Sequence, residues 1–226
     1  NMAMGLANLG RRREGIAALR AGLSCEPLSA RMRGDLAALL HQEGEINESF
    51  QQHVITLAID PASAAALGNF GNILRDLNIL ERAHQVLVYA TLIDPNMVSN
   101  WNNLGLMKVS HRESPAAFDA FARAMAIVPE SEAAYNGMAG LAKDLGELSL
   151  AARIYDRMVR LNPNNSALHS NLLFLLNYQE GRDPEQIAQA HKAWGQQFAQ
   201  SDAIAPACTN PAGRRLRVGY VSADFR

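Results

Sequence analysis

With 226 residues, 48% of them hydrophobic and 19% charged, and a formal net charge of −1, the chain can bury a substantial core, which excludes disordered and collagen-like classes. The near-neutral balance gives no electrostatic case for nucleic acid or an anionic membrane, because the basic runs at 11–13 and 214–217 are too short to make a field. No apolar stretch reaches the ~20 residues of a membrane span, and Cys25 and Cys208 are the only cysteines, so the expectation is a reducing, cytoplasmic setting.

Pro27, Pro61, Pro95, Pro129 and Pro163 recur every 34 residues. A fixed period of this length organises everything else in the chain. With the prolines at position 32, Asn1 falls at position 6 of a partial unit, 1–29, and the native chain is expected to extend further N-terminally. Full units follow at 30–63, 64–97, 98–131 and 132–165, and a last one at 166–180. Position 8 reads Ala3, Ala37, Gly71, Gly105, Ala139, and position 20 reads Gly15, Ser49, Ala83, Ala117, Ala151. Small residues in both columns predict two helices per unit that approach closely, with bulkier neighbours such as Leu36, Phe70 and Leu104 at position 7 and Leu87, Phe121 and Tyr155 at position 24 beside them. His53 breaks the last column. Gly10, Gly44 and Gly146 at position 15 mark the turn between the helices. Ser29, Ser63, Ser131 and Asn165 are predicted N-caps, while at Met97 the cap must come from Asn96 or Ser99.

Leu173 replaces the small residue at position 8 of the last unit, as expected where regular stacking ends. Residues 181–200, with Pro184 at a helix start and Ile187, His191, Trp194 and Phe198 at helical spacing, read as a capping helix. Residues 201–213 carry two prolines and no periodicity and read as a linker. In the final stretch, 214–226, Leu216, Val218, Tyr220 and Val221 form a short apolar run with branched and aromatic side chains, bounded by polar residues, which reads as one strand that has no pairing partner in this chain.

The repeat is identified as tetratricopeptide, which implies an all-α, right-handed superhelix of antiparallel helix pairs whose first helices line a groove. Position 6, which faces that groove in this family of repeats, reads Asn1, Asp35, Asn69, Asn103, Gly137, Asn171. Each carboxamide offers an acceptor and two donors, so the row suits the backbone of an extended polypeptide, with Asn136 standing one place before the interruption at Gly137. Further along the first helices, Arg75 with Asp76 and Lys143 with Asp144 either add side-chain selectivity or form ordinary solvated pairs. A carboxylate clamp of the chaperone-adaptor kind would use Asn72 and Asn103 as its amide half, but Gly68, Ala133 and Gly137 stand where its cations belong. None of the six histidines sits at metal-ligand spacing with Cys, Asp or Glu; His41, His84 and His111 read as solvated, His53 and His191 as packed. No catalytic or metal-binding residue is expected in this chain.

The stretches HSNLLFLLNY (169–178), DPEQIAQAHKAWGQQFA (183–199) and RRLRVGYVSADFR (214–226), in that order after Asn-lined repeats, resemble the bacterial O-GlcNAc transferase and SPINDLY family of glycosyltransferases. The resemblance implies that 214–226 opens a Rossmann-like catalytic half whose active-site residues lie beyond Arg226. It further implies a parent enzyme that transfers a sugar from UDP-GlcNAc or GDP-fucose to Ser or Thr hydroxyls of proteins fed along the superhelix, with this chain as the recognition arm. The alternative is a free-standing scaffold without an enzyme, for which an unpaired apolar strand would be a liability. The sequence leaves a homodimer across the convex face open.

Overall fold

The structure is a computed structural model that describes residues 2–179 and 181–198. The described residues form twelve helices: α1 (Met2–Asn8), α2 (Arg12–Cys25), α3 (Ala30–Gln42), α4 (Ile46–Ile59), α5 (Ala64–Asp76), α6 (Leu80–Ile93), α7 (Val98–Ser110), α8 (Ser114–Ile127), α9 (Glu132–Asp144), α10 (Leu148–Leu161), α11 (Ser166–Leu176) and α12 (Pro184–Phe198). Asn1, the linker at 201–213 and the strand expected at 214–226 lie outside the described residues.

The helices pair because position 8 of the first and position 20 of the second leave nothing between the two backbones. Ala37, Ala83, Ala117, Ala139 and Ala151 are completely buried. Ser49 occupies one of these small sites and disposes of its hydroxyl by donating to the Ala37 carbonyl at 2.6 Å. Gly71 is required outright, since a Cβ there would lie 2.5 Å from Leu87 Cγ. The turns between paired helices need a left-handed residue, met by Gly10, Gly44 and Gly146 at φ of 79°, 84° and 80°. Asn78 and Arg112 take the same turn at 59° and 58°. A β-carbon in that conformation costs of order 1 kcal/mol, and the turn is closed by a repeating bond from the next N–H to the carbonyl five residues back, such as Glu113 to Lys108 at 2.9 Å.

Helix starts obey the capping expectation unevenly. Ser63 and Ser131 accept from the N–H groups of Ala66 and Ala134, and Asn165 accepts from Ala167 and Leu168. Ser29 holds the extended N-cap backbone but makes no side-chain bond, and Met97 is itself the cap of α7, with neither Asn96 nor Ser99 substituting. A tie that the periodicity did not reveal replaces some of the lost order. At the two starts without a side-chain cap, position 4 donates to the carbonyl of the preceding lattice proline: Arg33 Nε to Pro27 at 2.8 Å and Trp101 Nε1 to Pro95 at 2.8 Å. His169 Nε2 meets Pro163 at 2.9 Å in the same way.

Successive pairs stack so that α3 touches α5, α5 touches α7 and α7 touches α9, and α9 shares an apolar cluster with α11 through Tyr135, Ala139, Leu168 and Leu175, which makes α3, α5, α7, α9 and α11 one continuous wall. Their apolar side chains merge into shared clusters, for example Leu74, Leu87, Leu104 and Met107. α12 lies against α11, with Trp194 Nε1 donating to Ser166 at 3.3 Å and Gln197 donating to Pro163 at 3.0 Å. His191, expected on the packing face of α12, is exposed instead and points its Nε2 to within 3.3 Å of Asn177 Nδ2.

Candidate functional site

Position 6 recurs on the wall formed by the first helices, and its side chains meet different fates there. Asn69 and Asn171 are exposed, with their carboxamides open to a ligand. Asn103 is half-buried and already donates its Nδ2 to the Gly68 carbonyl on the neighbouring first helix, at 3.2 Å. One of its two donors therefore belongs to the scaffold. Asp35 is half-buried and lines, with Asn69, Gly34, Ala66 and Thr56, a depression of about 290 Å3. Asn171 lines a second depression, also about 290 Å3, with Gly140, Lys143, Tyr155 and Phe174. Burial pushes the Tyr155 phenol above its ordinary range.

Gly137 interrupts the row for a steric reason. Phe121 is fully buried at position 24, and a Cβ on Gly137 would stand 2.4 Å from its ring, while one on Gly105 would stand 2.5 Å from the same ring. The phenyl group fills the room that a position 6 side chain would need. Asn136, one place earlier, does not offer its Oδ1 across the gap, because that atom is enclosed and has no partner. Asn72 is likewise half-buried with an enclosed, unpartnered Oδ1, so neither residue offers that atom to a ligand.

Arg75 and Asp76 bond to each other at 3.1 Å, and Asp76 also meets His41 Nε2 at 2.8 Å, so His41 is not the solvated histidine the sequence suggested. This three-member cluster ties α3 to α5. Lys143 and Asp144 form a looser pair at 3.6 Å, both well exposed. Among the described residues no group of histidine, cysteine and carboxylate side chains is arranged to hold a metal ion, and no helix is long and apolar enough to cross a membrane.

Two buried carboxamides escaped the sequence reading. Asn100 is 1% exposed and donates to the carbonyls of Ala64 and Ala90, at 3.1 and 3.5 Å. Asn102 is buried with its Oδ1 unpartnered. The signal was present in the three asparagines Asn100, Asn102 and Asn103, of which position 6 takes only the last.

Helix pairs, their stacking and the small-residue columns define a tetratricopeptide superhelix, and solved structures agree on the fold. The chain is similar to pilF of Pseudomonas aeruginosa, with 22% identity, 88% of this chain and 90% of that chain covered, and a TM-score of 0.68. It is also similar to TTC0263, a thermophilic TPR protein of Thermus thermophilus, with 19% identity, 77% and 95% covered, and a TM-score of 0.72. A further likeness, with 16% identity, 81% and 94% covered and a TM-score of 0.54, is to YrrB, described as a TPR protein with an unusual peptide-binding site. At these identities the likeness is one of fold. No protein-family model matches the chain. Among curated proteins it is similar to a probable UDP-N-acetylglucosamine--peptide N-acetylglucosaminyltransferase SPINDLY from Oryza sativa subsp. japonica, with 32% identity over 73 residues. That match takes in 31% of this chain and 8% of the relative's length.

Proposed function

We propose that the chain is the polypeptide-binding arm of a protein O-glycosyltransferase of the O-GlcNAc transferase and SPINDLY kind. The observation that carries the peptide-binding half is the pair of exposed carboxamides, Asn69 and Asn171, recurring at one position of a continuous helical wall. Such groups bond an extended backbone without reading its side chains, each worth about 0.5–1.5 kcal/mol net against ~4–15 kcal/mol of association cost. Binding is therefore weak and broad, as suits an arm that presents many different proteins to one catalytic centre.

The enzymatic half rests on the sequence resemblance at 169–226 and is supported by the partial SPINDLY match. In this reading 1–180 is the superhelix, 181–200 its cap, 201–213 a linker and 214–226 the opening strand of a catalytic half that binds UDP-GlcNAc or GDP-fucose, in the cytoplasm of a bacterium. The test has two arms. Titrating an unfolded Ser- and Thr-rich polypeptide into the chain should give binding that the triple substitution Asn69→Ala, Asn103→Ala, Asn171→Ala weakens about tenfold or more; unchanged affinity rejects the groove. In the parent protein the same triple should raise KM for protein acceptors and leave donor hydrolysis unaltered, whereas absence of sugar transfer from either donor leaves only the scaffold reading.

A further inference from the structure

Adjacent repeat junctions treat one small space in two ways. Where α5 meets α7, Asn100 at position 3 reaches over Gly68, its Oδ1 occupying the room a Cβ would need, and donates to the carbonyls of Ala64 and Ala90. Where α3 meets α5, the corresponding residues are Ala66 over Gly34, with Ala30 and Thr56 in the places of Ala64 and Ala90. Ala66 is too short to fill the space, and all four of these residues line the depression of about 290 Å3 that Asp35 and Asn69 border. A Cβ built on Gly34 would meet only the Thr56 Cγ2 methyl, at 3.7 Å, and the Thr56 hydroxyl is turned back to donate to Gln52. The junction thus keeps the glycine that admits a carboxamide but lacks the carboxamide.

We infer that this depression is a side-chain subsite that takes the carboxamide of an Asn or Gln in a bound extended polypeptide, which donates to the carbonyls of Ala30 and Thr56 as Asn100 does to Ala64 and Ala90 one repeat later. The surroundings fit that occupant. Apolar walls from Met4, Ala38 and Ala66 suit its methylenes, and a rim that carries Arg31 beside Asp35 and Asp60 is mixed in charge, which favours a neutral carboxamide over a side chain of either sign. The inference rests on the peptide-groove reading and deepens it, adding side-chain selection at one repeat to backbone capture along the row.

Blocked pentapeptides Ser-Ser-X-Ser-Ser, with X as Gln, Asn, Leu, Glu or Lys, test it by NMR titration of the 226-residue chain, following the amide signals of Gly34 and Ala66. The Gln and Asn peptides should bind roughly three- to tenfold more tightly than the Leu and Glu peptides, the ratio one net hydrogen bond supports. Gly34→Ala adds a methyl group to the subsite and Ala66→Asn rebuilds the filled junction; both should erase that preference. Gly34→Ala places its Cβ in ordinary contact and favours helix, so its melting temperature should hold or rise, which separates loss of the subsite from loss of the fold. Equal binding of Leu, tightest binding of Lys, or a Gln preference that survives both substitutions overturns the inference. Peptides that move the Asn69 and Asn171 signals without any preference at X overturn the subsite alone. Peptides that move no signal overturn the groove reading with it.

Discussion

The regions around Phe121 and His53 solve one problem in opposite ways. Both residues stand at position 24, where Leu19 and Leu87 stand in other units, and both are fully buried. Phe121 is larger than leucine, and glycines on both sides, Gly105 and Gly137, make room for it. His53 is polar, and nothing compensates: neither ring nitrogen has a partner, and its neighbours include Phe70, with ring centroids 6.2 Å apart. An excess of volume can be absorbed by deleting a side chain opposite, whereas a buried donor and acceptor need a specific partner at a specific distance. The groove records the difference, since room for Phe121 is made by removing a row residue at Gly137, while the His53 region keeps Asp35 and Asn69.

The strongest way to break this comparison is to restore the missing row member. Gly137→Asn drives a Cβ into the Phe121 ring and should cost roughly 3 kcal/mol in urea denaturation. Adding Phe121→Leu should recover most of it, and a Gly137→Asn chain as stable as the parent would show that Phe121 does not set the gap.

On the other side, burial, with a smaller contribution from His41, pushes the His53 pKa down to about 4. The unfolded chain takes up that proton near pH 6.5 while the folded one waits until about 4, so the unfolded state binds more protons in between. Stability from this group is complete above pH 6.5 and is lost as pH falls through the window, by roughly 2 kcal/mol at pH 5. His53→Leu should remove that component from the difference between denaturation curves at pH 7 and pH 5, and should stabilise the chain by about 1 kcal/mol at neutral pH, where it discards two unpartnered nitrogens. Parallel pH profiles for the two proteins would contradict the burial account.

Smaller effects sharpen the division within the row itself. Asn103→Ala breaks the bond to Gly68 and should lower stability by about 1 kcal/mol. Asn69→Ala touches no scaffold bond and should stay within about 0.5 kcal/mol of the parent. Equal costs for the two would mean that both residues play one role.

Most of the helical architecture was legible because its causes are local or strictly periodic. A left-handed turn demands glycine or something that tolerates its conformation, and a close helix crossing demands small residues at two fixed positions. The exceptions were legible only in part. Arg112 and Asn78 in the glycine turn, or Met97 in place of a capping serine, show a local preference overridden by the stacking around it.

The candidate site divides along the same line. Sequence placed Asn69, Asn103 and Asn171 in one column, but which of them is free to bind depends on a carbonyl 35 positions away, as the bond from Asn103 to Gly68 shows. It marked Gly137 as a gap without the reason, which is a ring from the preceding helix pair. It set Asn72 and Asn136 among the groove residues, without showing that the Oδ1 atom of each is enclosed and has no partner. By itself the sequence determined the 34-residue unit, the paired helices and the chemical character of the row, because period and residue size act within one repeat. The availability of each side chain, the Asp76 cluster, the stranded His53 and the unfilled space over Gly34 were decided only by the tertiary structure, because each depends on which side chain the next repeat lays against it.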